Sequence, residues 1–311
     1  MKIRFFFLFL SAFCFFNSCL FSQGAWTKRA DFPTSSRFFA VSFSIGDKGY
    51  YGLGQKQTEP FVYKVYNDWW EYDPAKDAWV QKADFPGGGR LGAKGFSLNG
   101  KGYAGSGYFI MPNGPNAGGK DYQSDVYEYD PAANTWTKKS DCFLGDKDFL
   151  FLRTDTICCV NPEYRTLRKY NPITDAWTET EWEKKALAPD YSAIAGNEAH
   201  FSVNGKAYII TLVKKKRVYI NQLWEFDPHV VAWIKKNDLP LPGIAEVSAF
   251  FVVEKAFVMR SGKDFLEYDG ALDQWTEIKN ISLPDKYFSP AFVIDNKCYG
   301  FSKYKFWEFV K

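Results

Sequence analysis

The residues of this 311-residue chain that are equipped for chemistry gather in its irregular segments. Arg37 and Arg90 each stand a few residues past a "DFP" tripeptide. A guanidinium so placed holds a carboxylate through paired N–H donors. Tyr63, Tyr66, Tyr108, Tyr122 and Tyr191 lie in long polar stretches such as "QKQTEPFVYKVYN" and "YFIMPNGPNAGGKDYQS", where aromatic faces and amides suit a carbohydrate or a protein surface. These seven residues are the candidate ligand-binding set. Glu59, Asp121 and Asp190 share those stretches, and a glycosidase would need two such carboxylates across one cleft. The basic run Lys214 to Arg217 is a further, weaker candidate.

Other chemistries lack their parts. The sequence has no Gly-x-Ser-x-Gly elbow and no metalloprotease helix motif,. A copper oxidase needs two histidines in one pocket, whereas His229 falls in a tight turn and His200 near an inner strand. Cys142, Cys158, Cys159 and Cys298 match no zinc spacing, and adjacent strand residues point to opposite faces. Buried thiols or one disulfide are expected there, with no metal and no cofactor.

The elements that must carry these residues are written in a repeated phrase. "DWWEYDPAKDAW", "VYEYDPAANTW", "LRKYNPITDAW", "LWEFDPHVVAW" and "FLEYDGALDQW" each read as strand, tight turn and strand, with a truncated last copy, "FWEFVK",. Upstream of most copies a second hairpin turns at "GDK", "NGK" or "DNK",. The phrase's aromatic recurs at Tyr72, Tyr129, Tyr170, Phe226, Tyr268 and Phe309, at intervals of 57, 41, 56, 42 and 41 residues. Four strands per unit at this period make a six-bladed β-propeller. The chain is 46% hydrophobic and 19% aromatic, with few amphipathic helical runs, which agrees with an all-β class.

The strands "KGYYGLG" and "KGYAGSG", the aromatic strand ending in Asp-Pro, the following Trp, and Arg37 and Arg90 resemble the Kelch-repeat family. Units three to six lack the glycine doublet and the arginine. Trp79, Trp136, Trp177, Trp233 and Trp275 read as packing between blades, and Asp73, Asp130 and Asp227 as turn formers. The last unit stops at Lys311 without an outer strand, while "AWTKRADFP" near the start is the orphan counterpart of "AWVQKADFP". The expected ring is therefore closed by the N-terminal strand, acting as the outer strand of the last blade.

Lys2 and Arg4 precede the apolar run "FFFLFLSAFCFF", too short for a transmembrane helix and suited to a signal peptide. Residues 1–23 are read as that signal and 24–311 as a single propeller. "FNSC" partly matches a lipoprotein signal ending before Cys19, which would then carry a lipid anchor. Without Lys2 and Arg4 the chain holds 37 basic and 36 acidic residues, a balance that offers no general field for nucleic acid. The reading is an exported monomer, periplasmic, outer-membrane-anchored or secreted. It is expected to be a non-catalytic module binding a carbohydrate or an envelope or extracellular protein through long loops on one face. The alternative, by resemblance, is a sugar mutarotase or epimerase similar to N-acetylneuraminate epimerase, with Arg37 or Arg90 on a sugar carboxylate.

Overall fold

The computed structural model describes residues 24–311 apart from 35, 112–117, 143, 145–148, 154–155, 162–163, 183–188, 190–198, 216, 241–246, 253–254, 261–263, 280, 282–287 and 303. Every regular element among the described residues is a strand. After β1 (Ala25–Lys28), blade one is built from β2 (Val41–Ile45), β3 (Lys48–Gly52), β6 (Trp69–Asp73) and β7 (Ala78–Lys82). A two-stranded ribbon, β4 (Gln55–Glu59) and β5 (Val62–Val65), interrupts it. Blade two follows suit with β8 (Lys94–Leu98), β9 (Lys101–Gly105), β12 (Val126–Asp130) and β13 (Thr135–Lys139), around the ribbon β10 (Tyr108–Ile110) and β11 (Lys120–Tyr122).

The remaining blades are plain four-stranded meanders. Blade three is β14 (Phe149–Arg153), β15 (Thr156–Asn161), β16 (Thr166–Asn171) and β17 (Ala176–Glu181). Blade four is β18 (Ala199–Val203), β19 (Lys206–Lys215), β20 (Val218–Asp227) and β21 (Ala232–Lys235). Blade five is β22 (Val247–Val252), β23 (Lys255–Arg260), β24 (Asp264–Asp269) and β25 (Gln274–Glu277). Blade six is β26 (Ser289–Ile294), β27 (Lys297–Ser302) and β28 (Lys305–Val310), and its fourth strand is β1. The closing register sets Trp26 opposite Phe309 and Lys28 opposite Trp307, as the orphan "AWTKRADFP" requires.

The repeated phrase acquires a physical meaning in the turns. In blade one the Asp73 carboxylate accepts the N–H groups of Ala75 and Lys76, so the Asp and the fixed φ of Pro together set the turn,. Four residues past it, Asp77 sits at φ 48°. Its carboxylate accepts the Tyr72 hydroxyl at 2.6 Å and the Ala30 N–H at 2.9 Å, while Trp79 Nε1 donates to the Ala30 carbonyl at 3.1 Å. Both backbone groups of Ala30, which follows the preceding blade's outer strand, are thus held by the next blade. Blade two repeats this with Asn134, Tyr129 and Trp136 on Ala83, and blade five with Asp273, Tyr268 and Trp275 on Asn237.

Blade four changes the set as a unit: Phe226 replaces the tyrosine and Val231, at φ 52°, the carboxylate. Removing the hydroxyl and its acceptor together strands neither, while the indole Nε1 of Trp233 in the same blade is buried without a hydrogen-bond partner. The tryptophans also pack between blades, as Trp79 does on Phe292, Phe301 and Phe306 of blade six, and Trp26 on Phe250 and Phe265 of blade five. Cys142, Cys158, Cys159 and Cys298 are buried. Cys158 and Cys159 join different core clusters, on opposite faces of their blade.

Candidate functional site

Antiparallel order sends the connections between second and third strands to one face of the ring, along with those between blades. Among the described residues three of them project. β4–β5 and β10–β11 are separate ribbons, and β19–β20 extends its own blade until Lys215 pairs with Val218.

The two ribbons leave their blades through the same kink. In "GLG" Leu53 and Gly54 have φ 59° and 77°, and in "GSG" Ser106 and Gly107 have 54° and 80°. Consecutive left-handed residues swing the chain out of the sheet. A side chain on Gly54 would strike the backbone of Phe38 and Ala40, and one on Gly107 that of Leu91 and Ala93,. The glycine doublet is missing from later units because their second strands run directly into their third.

Arg37 and Arg90 hold these kinks from beneath. Arg37 donates to the Leu53 carbonyl, to Thr34 Oγ1 and, through both terminal nitrogens, to the Asp68 carboxylate. Arg90 repeats the pattern on the Ser106 carbonyl, the Gly87 carbonyl and both oxygens of Asp125. Phe32 and Phe85 flank the two guanidiniums, and Tyr66 stacks on Arg37 with its ring centre 3.7 Å away. Arg37 is only 8% exposed and Arg90 1%. Burial works against the Asp68 charge, but hydrogen bonds from Arg37 and Trp70 outweigh it and hold the carboxyl below its ordinary value,. Burial also pushes Tyr51, whose oxygen accepts the Arg37 N–H, up to about 12.

The expected ligand set is thereby divided. Arg37 and Arg90, expected to meet a ligand, instead direct their terminal nitrogens to groups of their own chain and are covered, with each Nε buried and without a hydrogen-bond partner. Tyr108 is buried under Lys120 and beside Tyr122, and Tyr66 is taken up as the lid of the Arg37 pair. Tyr63 and Tyr122 are 48% and 43% exposed on the ribbons. Glu59 and Asp121 are exposed on those ribbons as well. Tyr191, Asp190 and Cys19 lie outside the described residues. The signal for the braces was present in the sequence: an Asp directly precedes the third strand, "DWWEY" and "DVYEY", in the two units that have the arginine. Asp264, at the start of the third strand of blade five, blurs it, because no arginine stands a few residues past the "DLP" of that unit.

His229 occupies the outer turn of blade four, accepting no shared pocket with His200, which lies on the innermost strand β18. No cluster of His, Cys, Asp and Glu among the described residues is arranged to hold a metal. The opposite, tight-turn face bears an open cleft lined by Ser44, Gly46, Ser97 and Asn99.

The molecule is an all-β, six-bladed propeller with a lopsided hairpin face. A solved structure titled "Structure of YjhT" matches it with a TM-score of 0.61 at 16% identity, over 89% of this chain and 94% of that one. N-acetylneuraminate epimerase of Pasteurella multocida (strain Pm70) is 36% identical over 96 residues, which is 31% of this chain and 22% of that protein. The match therefore takes in about a fifth of the enzyme's length. No protein-family model matches the chain.

Proposed function

We propose that this chain is an exported, non-catalytic binding module of Kelch-repeat type, recognising a carbohydrate or an envelope protein through the hairpin face. One observation carries the reading: two ribbons stand on braced kinks and present Tyr63 and Tyr122 to solvent. Buried bidentate pairs beneath a recognition loop limit the ordering cost of binding. Export is supported by the Lys2/Arg4 head and the apolar run after it,.

A second reading, a sugar mutarotase or epimerase, is favoured by the 36% identity to N-acetylneuraminate epimerase over 96 residues. Titration with N-acetylneuraminate and with a neutral hexosamine, followed by NMR of anomer interconversion, separates the two. The module reading expects saturable binding with exchange at the uncatalysed rate. Accelerated exchange would establish the enzyme instead, and the absence of binding by either sugar would remove the carbohydrate half of the proposal.

A further inference from the structure

Blade one's ribbon carries apolar side chains that the fold does not bury. Phe61, at its turn, is 92% exposed and sits at φ 63°, a left-handed backbone that disfavours bulky side chains. Val62, Tyr63 and Val65 beside it are exposed. So are Phe38 and Phe39, in the segment bridged to the ribbon through Phe38 and Gln55. The other projecting hairpins repeat the feature more sparsely, with Ile110 and Tyr122 on blade two and Val218 on blade four. Ile173 is as exposed as Phe61, but it is an isolated side chain in a tight turn on the opposite face. Single apolar residues of that kind are ordinary, and contiguous patches are not.

Cations gather at the same places. In the body of the propeller Lys48, Lys101, Lys206 and Lys255 meet the turn aspartates Asp73, Asp130, Asp227 and Asp269 of their own blades. On the projecting hairpins Lys56, Lys64, Lys214 and Arg217 make no ion pair among the described residues. Lys64 and Lys214 instead lie over the rings of Tyr66 and Tyr219. Among the described residues, Glu59 shares the first ribbon with Lys56 and Lys64, and the tip of the blade-four hairpin carries Lys214 and Arg217. A chain of nearly balanced charge thus shows a basic, apolar-tipped face.

We propose that this face docks on an anionic lipid surface, with Phe61, Val62 and Val218 in the interfacial layer and the lysines among the headgroups. The hairpins leave blades one, two and four on the same face of the ring, so that a planar partner can meet all three together. The inference rests on the hairpin face being the working surface, and concerns a different occupant from the sugar tested above.

The test is cosedimentation of the protein with phosphatidylglycerol/phosphatidylcholine vesicles and with pure phosphatidylcholine vesicles, at low and high salt. Binding is expected on the anionic vesicles and should weaken as salt screens the surface potential. Reversing two charges in K214E/R217E should lower the affinity by about tenfold or more. F61S/V62S should lower it comparably, and I173S, on the other face, should leave it unchanged. Circular dichroism would show that each variant stays folded. Absence of binding to anionic vesicles at low salt, equal binding to neutral ones, or binding that survives both hairpin variants would overturn the proposal. Vesicle failure alongside successful sugar titration would remove the lipid partner and leave the binding-module reading standing.

Discussion

Arg37 and Asp68 form a two-pronged ion pair beneath the base of the first ribbon, with one oxygen of the carboxylate on each terminal guanidinium nitrogen. The arginine side chain is fully covered and the carboxylate nearly so. Breaking such a pair leaves a buried charge without compensation, which costs about 3–5 kcal/mol. Arg37→Ala is expected to destabilise the protein by that order in urea denaturation, and Asp68→Ala similarly. The double variant should cost less than the two together. Additive losses would show that the two residues act independently.

The same pair sets an acid limit. The Asp68 carboxyl is held below its ordinary value of 3.8, so the unfolded chain binds its proton at a higher pH than the folded one does. Its stabilisation is complete above that ordinary value and is lost as pH falls through the folded value. The melting temperature should therefore be insensitive to this group at neutral pH and decline in the acid range, with a shallower decline in Asp68→Asn. An identical acid profile for that variant would assign the sensitivity to other carboxyls.

Blade four provides its own control on the turn network. Placing a hydroxyl there by Phe226→Tyr would face it toward Val231, with no side-chain oxygen at the position that accepts the hydroxyls of Tyr72, Tyr129 and Tyr268 elsewhere. An unsatisfied buried hydroxyl costs about 1–3 kcal/mol. The double variant Phe226→Tyr/Val231→Asp should recover most of that loss in thermal unfolding. No recovery would mean that the two positions are not coupled.

Ring closure can be tested at Trp26, which packs against Phe250, Phe265, Phe288 and Phe309. Because Trp26 keeps some exposure, Trp26→Ala should cost about 2–3 kcal/mol, below the range for a fully buried Trp. A change within about 0.5 kcal/mol, as for an ordinary surface site, would remove the strand from the account of stability.

The contrast between these residues shows what the sequence made legible. Blade number and closure follow from copies that can be laid side by side, since "AWTKRADFP" and "AWVQKADFP" differ in few positions and the C-terminal unit stops one strand short. Arg37 and Arg90 were visible as a spacing after "DFP", which suggested a ligand carboxylate. Their actual carboxylates lie 31 and 35 residues further along, across a ribbon of unequal length in the two blades. No local pattern measures that distance, because it depends on the Leu53–Gly54 and Ser106–Gly107 kinks. The exposed tyrosines could be separated from the buried Tyr108 only once the ribbons were folded.

The most direct test of the hairpin face is a hydrogen–deuterium exchange footprint recorded with whichever of the acidic and neutral sugars saturates the protein in titration. Protection is predicted in 55–65 and 108–122, with the tight turns around Gly46 and Asn99 unchanged. Protection confined to those tight turns, or no saturating sugar at all, would contradict recognition of a carbohydrate through the braced ribbons.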